Sequence, residues 1–214
     1  MEKQVNAAHY DFAAYVSKAR WNSFYHQIYE IITAEPQSVL EVGIGPGVIK
    51  AILKNIGNCI YESMDIDDEL KPDHIGSILA MPFQNNQYDV IGCFQVLEHL
   101  PYENFERALS ELLRVAKKAV IISLPDAERV LSLHIPKICH RIFKWPLARK
   151  RIHTFDGEHY WEINKKGYGC NEIIKKIKCI CKKHNYMLKK EYRVPENPYH
   201  HFFVLTAAAP TGSR

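Results

Sequence analysis

The chain reads as an α/β protein with a doubly wound, mostly parallel sheet. Three observations carry that reading. Short apolar runs alternate with segments of helical periodicity along most of the chain, which is the pattern of strand–helix–strand units. The run Val39, Leu40, Val42 breaks into Gly43, Gly45 and Gly47, and helix-like spacing resumes at Val48, Ile49, Ile52 and Leu53. Tyr88 to Phe94 is almost uninterrupted in its apolar character, as in a strand covered on both faces.

The elements follow in order. Residues 7–33 are aromatic-rich and near helical spacing, through Phe12, Tyr15, Trp21, Phe24, Tyr25, Ile28 and Ile31, and Pro36 ends them. We read residues 1–35 as an N-terminal helical cap. Strand 1 spans 38–42 and the next helix 47–56. Strand 2 runs from Cys59 to Met64 and ends at Asp65. Strand 3, near 74–79, is the weakest element, with no full helix before strand 4 at 88–94. Residues 103–117 form the clearest helix, because Phe105, Ala108, Leu109, Leu112, Leu113 and Ala116 share one face. Strand 5 covers 119–124 and stops at Pro125. A helix at 171–185 precedes two late strands at 187–193 and 200–207, which have the spacing of a hairpin. Residues 126–166 break the alternation and read as an inserted lid. The whole chain, 1–214, is expected to form one domain.

Composition narrows the class. With 214 residues, 47% apolar and 24% charged, the balance is that of a globular protein. The net charge of +4 does not argue for nucleic acid, and none is expected as a partner. No window reaches the ~18 apolar residues of a membrane span. Met1-Glu2-Lys3-Gln4 lacks a signal-peptide core, so a cytoplasmic location is expected. The six cysteines are scattered and expected to be free thiols.

The glycine turn is a nucleotide-type site, since bare backbone lets a ligand lie against the main chain. The alternative is a ligand-free glycine-rich turn. A dinucleotide fingerprint needs a third glycine where Val48 stands, and a phosphate-binding loop needs a Gly-Lys-Ser/Thr that does not follow. Glu41, on the strand, suits a cationic ligand better than a pyrophosphate. S-adenosylmethionine carries an ammonium and a sulfonium. Asp65, with Ile66 beside it, lies at the end of strand 2, where a carboxylate can accept hydrogen bonds from ribose hydroxyls. Asp67 and Asp68 read as solvated loop acids.

Glu41-Val42-Gly43-Ile44-Gly45-Pro46-Gly47 resembles the first motif of class I S-adenosylmethionine-dependent methyltransferases. Ala80-Met81-Pro82-Phe83, Tyr88-Asp89-Val90-Ile91 and Val96-Leu97-Glu98-His99-Leu100-Pro101 are similar, in order and spacing, to blocks of the type 11 methyltransferase family. The resemblance covers about residues 36–125. It implies a Rossmann-like methyltransferase fold, S-adenosylmethionine as methyl donor and S-adenosylhomocysteine as product. By the same resemblance Ser77 stands near the place of the family's adenine-binding acid, Ile78 packs on the adenine, and Gln95 lies near the methionine portion. A Glu-x-x-Glu-His form of the third block is linked to a divalent cation in ubiquinone-pathway relatives. Gln95 replaces the first glutamate here, which removes an anionic ligand, so no metal is expected. Glu98 and His99 then form a structural turn, or His99 serves as a general base.

The segment 129–151 interleaves Lys137, Arg141, Lys144, Arg149, Lys150 and Arg151 with Leu131, Leu133, Ile138, Ile142, Phe143 and Trp145. It suits a small or amphipathic, anionic acceptor, or contact with a membrane surface. The plainer alternative is a lid whose basic side is simply solvated. His159, in Asp156-Gly157-Glu158-His159-Tyr160-Trp161, is the candidate acid/base on the acceptor side. Two other functions stay open at this stage: a non-catalytic S-adenosylmethionine-binding module, and a nicotinamide-linked oxidoreductase, which Val48 and Glu41 disfavour.

Overall fold

The computed structural model describes residues 7–56, 58–135, 139–145 and 151–208. Parts of the basic segment, at 136–138 and 146–150, lie outside the described residues, and Arg149 is among them.

The N-terminal region is helical but broken. A 3-10 turn at Ala7–Tyr10 and a short helix α1 (Phe12–Tyr15) precede α2 (Lys18–Thr33). The sequence suggested one continuous stretch. The break falls at Ser17, whose Oγ accepts from the Arg20 N–H and so starts a new helix. Then follow β1 (Ser38–Val42), α3 (Val48–Ile56), β2 (Ile60–Asp65), β3 (His74–Ile75) and β4 (Tyr88–Phe94). Next come α4 (Phe105–Val115), β5 (Ala116–Pro125), a hairpin of β6 (Val130–Ile135) and β7 (Cys139–Lys144), α5 (Cys170–Lys183), β8 (Tyr186–Val194) and β9 (Asn197–Ala207). Strand 3 shrinks from the expected six residues to two, held by pairing with Met64 and Asp65 alone.

The main sheet has the order β3-β2-β1-β4-β5-β9-β8. β3, β2, β1, β4 and β5 pair in parallel, whereas β9 runs antiparallel to both β5 and β8. The sheet separates two apolar layers. Leu40, Ile91, Val120 and Ile122 face Leu109 and Leu112 of α4 and Ile173 and Ile177 of α5. Val39, Val90 and Ile121 face Ile31 of α2 and Ile49 and Leu53 of α3. From Val90 onward the side chains of β4 alternate between the two layers, and every residue of the strand is buried. This explains why that strand carries no polar face.

From β1 the chain winds one way across the sheet and from β4 the other. The carboxyl ends of these neighbours therefore form a switch-point crevice, where open α/β sheets bind ligands. The inserted segment contains the β6–β7 hairpin, which pairs only with itself among the described strands. Leu131, Leu133, Phe143 and Trp145 on it are about half exposed. Cys59, Cys93, Cys170, Cys179 and Cys181 are free thiols. No described helix is long and apolar enough to cross a membrane.

Candidate functional site

An open cavity of about 940 Å³ occupies the switch-point crevice. Its floor is the glycine turn. Gly43, Gly45 and Gly47 all have positive φ, at 83°, 51° and 71°. At Gly43 a Cβ would lie 2.3 Å from Val96 Cγ2, so only glycine lets the ends of β1 and β4 approach this closely. At Gly45 a Cβ would point at Tyr10, 3.6 Å from its ring.

Asp65 anchors the turn from the end of β2. Its Oδ2 accepts from the Ile44 N–H at 3.0 Å and its Oδ1 from the Asp67 N–H at 3.0 Å. Burial raises its pKa while those N–H groups oppose the rise. Each carboxylate oxygen has a second lone pair, so the group can still accept from a ligand. Ile66 and Leu70 continue this wall. Asp67 does not match the solvated acid expected: it is buried, lines the cavity, and caps the 3-10 turn Asp68–Leu70 through Oδ1. Asp68 is exposed as expected.

Glu41 lines the cavity but is buried, and accepts a hydrogen bond from the Tyr61 hydroxyl. Burial pushes its pKa up to about 8. It is therefore closer to a neutral acid than to a fully ionised carboxylate.

Gln95, just past β4, has φ 55°, an uncommon conformation for a residue with a side chain. The Ser123 carbonyl and hydroxyl hold it there, at 3.0 and 3.1 Å. Its side chain lines the cavity beside Val96 and His99. Ser77 and Ile78 do not line it. Ile78 belongs to the buried core, and Ser77 Oγ accepts from the Leu79 N–H. The connection after β2, which has no α-helix, turns Ile78 into the core and leaves Ser77 half-buried, which block spacing does not reveal.

The rest of the lining comes from residues that motif reading missed. Arg20, Phe24 and Gln27 share one face of α2 and line the cavity, with Tyr10 and Tyr15 beside them. The Arg20 guanidinium lies over the Tyr15 ring, 3.9 Å from its centre. His200 enters from β9; burial and the nearby Arg20 charge lower its pKa to about 3, so it is neutral. Gln27 Oε1 and His200 Nδ1 are buried without a hydrogen-bond partner. The only sequence signal was the spacing of Arg20, Phe24 and Gln27 on one helical face.

His99 and His159 come together, with ring centres 5.1 Å apart. The segment carrying His159 is pinned to the turn after β4. Tyr160 N–H donates to the Glu98 carbonyl at 2.9 Å, and the fully buried Trp161 donates from Nε1 to the Leu100 carbonyl at 3.1 Å. Burial and the neighbouring His159 lower the His99 pKa. Burial opposes protonation of His159, but Glu162, Glu98 and Asp156 outweigh it and raise its pKa. Glu98 is fully buried, and burial pushes its pKa up to about 8.

Comparison with known proteins agrees with this geometry. Residues 40–124 match the family model described as Methyltransferase domain, of the type 11 group. An uncharacterized protein of Methanocaldococcus jannaschii is 34% identical over 119 residues, covering 52% of this chain and 51% of that one. The chain thus spans about half the length of that relative. Among solved structures, magnesium protoporphyrin IX methyltransferase of Synechocystis PCC 6803, with bound S-adenosylhomocysteine, superposes with a TM-score of 0.58 at 13% identity, over 97% of this chain and 90% of that one. An S-adenosylmethionine-dependent methyltransferase of Clostridium acetobutylicum gives 0.59 at 10% identity, over 94% and 96%. At such identities the structural likeness is one of fold. Residues 40–124 thus match the type 11 methyltransferase domain model, and the chain shares the fold of class I S-adenosylmethionine-dependent methyltransferases.

Proposed function

We propose that the protein transfers a methyl group from S-adenosylmethionine to a small or amphipathic acceptor. One observation carries the reading. The cavity is lined by a bare glycine backbone and Asp65 together with Arg20, Gln27 and His200, and the last two carry buried polar atoms without a hydrogen-bond partner. A ligand that carries a ribose and a zwitterionic amino acid fits that set of groups. The donor supplies a methyl carbon activated by its sulfonium.

The chain's residues do the rest. Gly43, Gly45 and Gly47 let the donor lie on the backbone, Asp65 accepts from the ribose hydroxyls, and Ile66 flanks the adenine side. Arg20 takes the methionyl carboxylate, while Gln27, Gln95 and His200 supply polar contacts at that end. Neutral Glu41 under the turn can ionise when a cationic ligand is above it, since an opposite charge favours the carboxylate. Alignment is the main catalytic contribution in such a displacement. His99 lines the cavity and His159 stands beside it, so these imidazoles serve the acceptor. Phe24, Phe94 and Val96 give the same cavity an apolar wall that suits an acceptor with an apolar body. The exposed β6–β7 hairpin is the element placed to meet an amphipathic acceptor or an anionic lipid surface. The free thiols accord with a cytoplasmic location.

The test is transfer of labelled methyl from S-adenosylmethionine to a panel of hydroxylated, carboxylated and amine-bearing amphiphiles and small molecules. Turnover on one acceptor class is expected. Donor binding without transfer to any of them would favour a non-catalytic binding module.

A further inference from the structure

We propose that Glu98, His99 and His159 form a binding site for a transition-metal cation of the zinc, cobalt or manganese kind. The site follows from four features of the structure. Glu98 is fully buried, and neither of its carboxylate oxygens has a hydrogen-bond partner. A buried carboxyl group left in that state is costly, and a bound cation would remove the cost. One ligand atom from each of the three side chains lies within 4.8 Å of the other two, so small side-chain rotations bring them to a common ion.

The imidazoles are also braced. His99 Nδ1 meets the Glu158 carbonyl at 2.9 Å, and His159 Nδ1 meets Glu162 Oε1 at 3.4 Å. Metal-binding histidines are commonly oriented by such a carbonyl or carboxylate on the second ring nitrogen. Glu162 is itself held by the Tyr199 hydroxyl at 2.9 Å and lies 3.5 Å from Lys165 Nζ. Finally, the two halves of the cluster are locked together by the backbone bond from Tyr160 to Glu98 and by buried Trp161.

The expectation of no metal rested on Gln95 replacing a carboxylate. Gln95 donates its amide to Ser123, and the structure supplies His159 as the third donor instead. Two imidazoles and one carboxylate suit zinc, cobalt or manganese better than magnesium or calcium, which prefer oxygen ligands. Because His99 also lines the cavity, an ion held here borders the acceptor end. With the ion bound, His99 is a ligand, and any proton-accepting role belongs to the metal-free chain. The site does not depend on the methyl-transfer reading, and its test needs neither donor nor acceptor.

The full chain, without an affinity tag and stripped with a chelator, is titrated with Co2+ alone and followed by visible absorption and calorimetry. One equivalent should bind with a ligand-field spectrum, zinc should displace it, and excess magnesium should not. Glu98→Gln and His159→Gln should each weaken binding more than about tenfold, with thermal unfolding of the metal-free variants reporting that they fold. If one variant does not fold, the other decides. No one-equivalent spectrum with the unmodified chain overturns the proposal, as does a spectrum that survives both substitutions. Loss in His159→Gln but not in Glu98→Gln would move the ion to Asp156, His159 and Glu162, and would equally overturn the assignment.

Discussion

A methyl group on Gly43 would lie 2.3 Å from Val96 Cγ2. The contact joins the turn after β1 to the exit of β4 across the switch point, and it sets how closely the two walls of the cavity meet. Gly43→Ala should therefore destabilise the fold by about 2–4 kcal/mol, from overpacking and a left-handed backbone together. Adding Val96→Ala should restore only the steric part. Gly47→Ala, where no atom lies within 4 Å of the new Cβ, should cost only the backbone part, about 1 kcal/mol. Urea unfolding of the four chains checks this. Equal losses in Gly43→Ala and Gly47→Ala would show that the Val96 contact is unimportant.

Arg20 is assigned to the methionyl carboxylate. Arg20→Met should weaken S-adenosylhomocysteine binding by about 1.5–3 kcal/mol, the range for a hydrogen bond to a charged group. Binding of 5′-methylthioadenosine, which has the nucleoside but no carboxylate, should hardly change. Arg20→Lys should recover only part of the loss, because an ammonium lacks the guanidinium fork. Equal weakening for both ligands would move Arg20 away from the carboxylate.

The contrast between Asp65 and Arg20 shows what the sequence could reveal. Asp65, Gly43, Gly45 and Gly47 act within one strand–turn–helix and the strand beside it, so their spacing along the chain mirrors their spacing in space. Arg20 and Gln27 reach the cavity from α2, and His200 from the antiparallel β9. Those approaches depend on how α2 packs on the sheet and on the β5–β9 register, which no local pattern encodes. The same holds for His159, brought to Glu98 by Trp161 burial and backbone bonding. Ser77 and Ile78, the expected adenine contacts, stand outside the cavity lining for the opposite reason. Their spacing fits a family block, but the chain there folds without a helix and turns Ile78 into the core. The positions of β1, β4 and β5, by contrast, were largely legible, because burial on both faces leaves an apolar run with no polar alternation.

The basic hairpin gives a separate prediction. Changing Arg141, Lys144 and Arg149 to serine should leave S-adenosylhomocysteine affinity unchanged, since no described hairpin residue lines the cavity. Lys144 lies 3.7 Å from Glu128, so its charge is partly offset. Binding to vesicles of phosphatidylserine and phosphatidylcholine should fall by about 1 kcal/mol for each uncompensated cation removed. Raising salt should weaken the unmodified protein in the same direction. A loss of cofactor affinity instead would place the hairpin in the donor pocket.

His201 makes stability depend on pH. Its Nδ1 meets Asp126 Oδ2 at 2.8 Å and its Nε2 meets Glu191 Oε1 at 2.5 Å, while Arg193 also contacts Asp126, at 2.6 Å. Burial opposes the imidazolium, but the two carboxylates prevail and raise the His201 pKa above its ordinary 6.5. A folded-state pKa above the unfolded value stabilises fully below about pH 6.5. That stabilisation is lost as pH rises through the folded value. The carboxylates behave oppositely. Glu191 is lowered by its bond to His201, and Asp126 is lowered by His201 and Arg193 despite burial. Their contribution is present above about pH 4 and lost as pH falls through their folded values. Urea midpoints from pH 5.5 to 9 should decline on the alkaline side more steeply in the native chain than in His201→Gln. Parallel curves would remove His201 as the source.

The central claim is that the glycine-turn cavity is a site for S-adenosylmethionine and its product. Calorimetry of the full chain with S-adenosylhomocysteine, and separately with NAD, tests it most directly. We expect one equivalent of S-adenosylhomocysteine to bind, no heat with NAD, and a loss of about 1.5–3 kcal/mol in Asp65→Ala, whose carboxylate would serve both the ribose and the turn. Binding of NAD in place of S-adenosylhomocysteine, or an Asp65→Ala affinity equal to that of the native chain, would contradict the account.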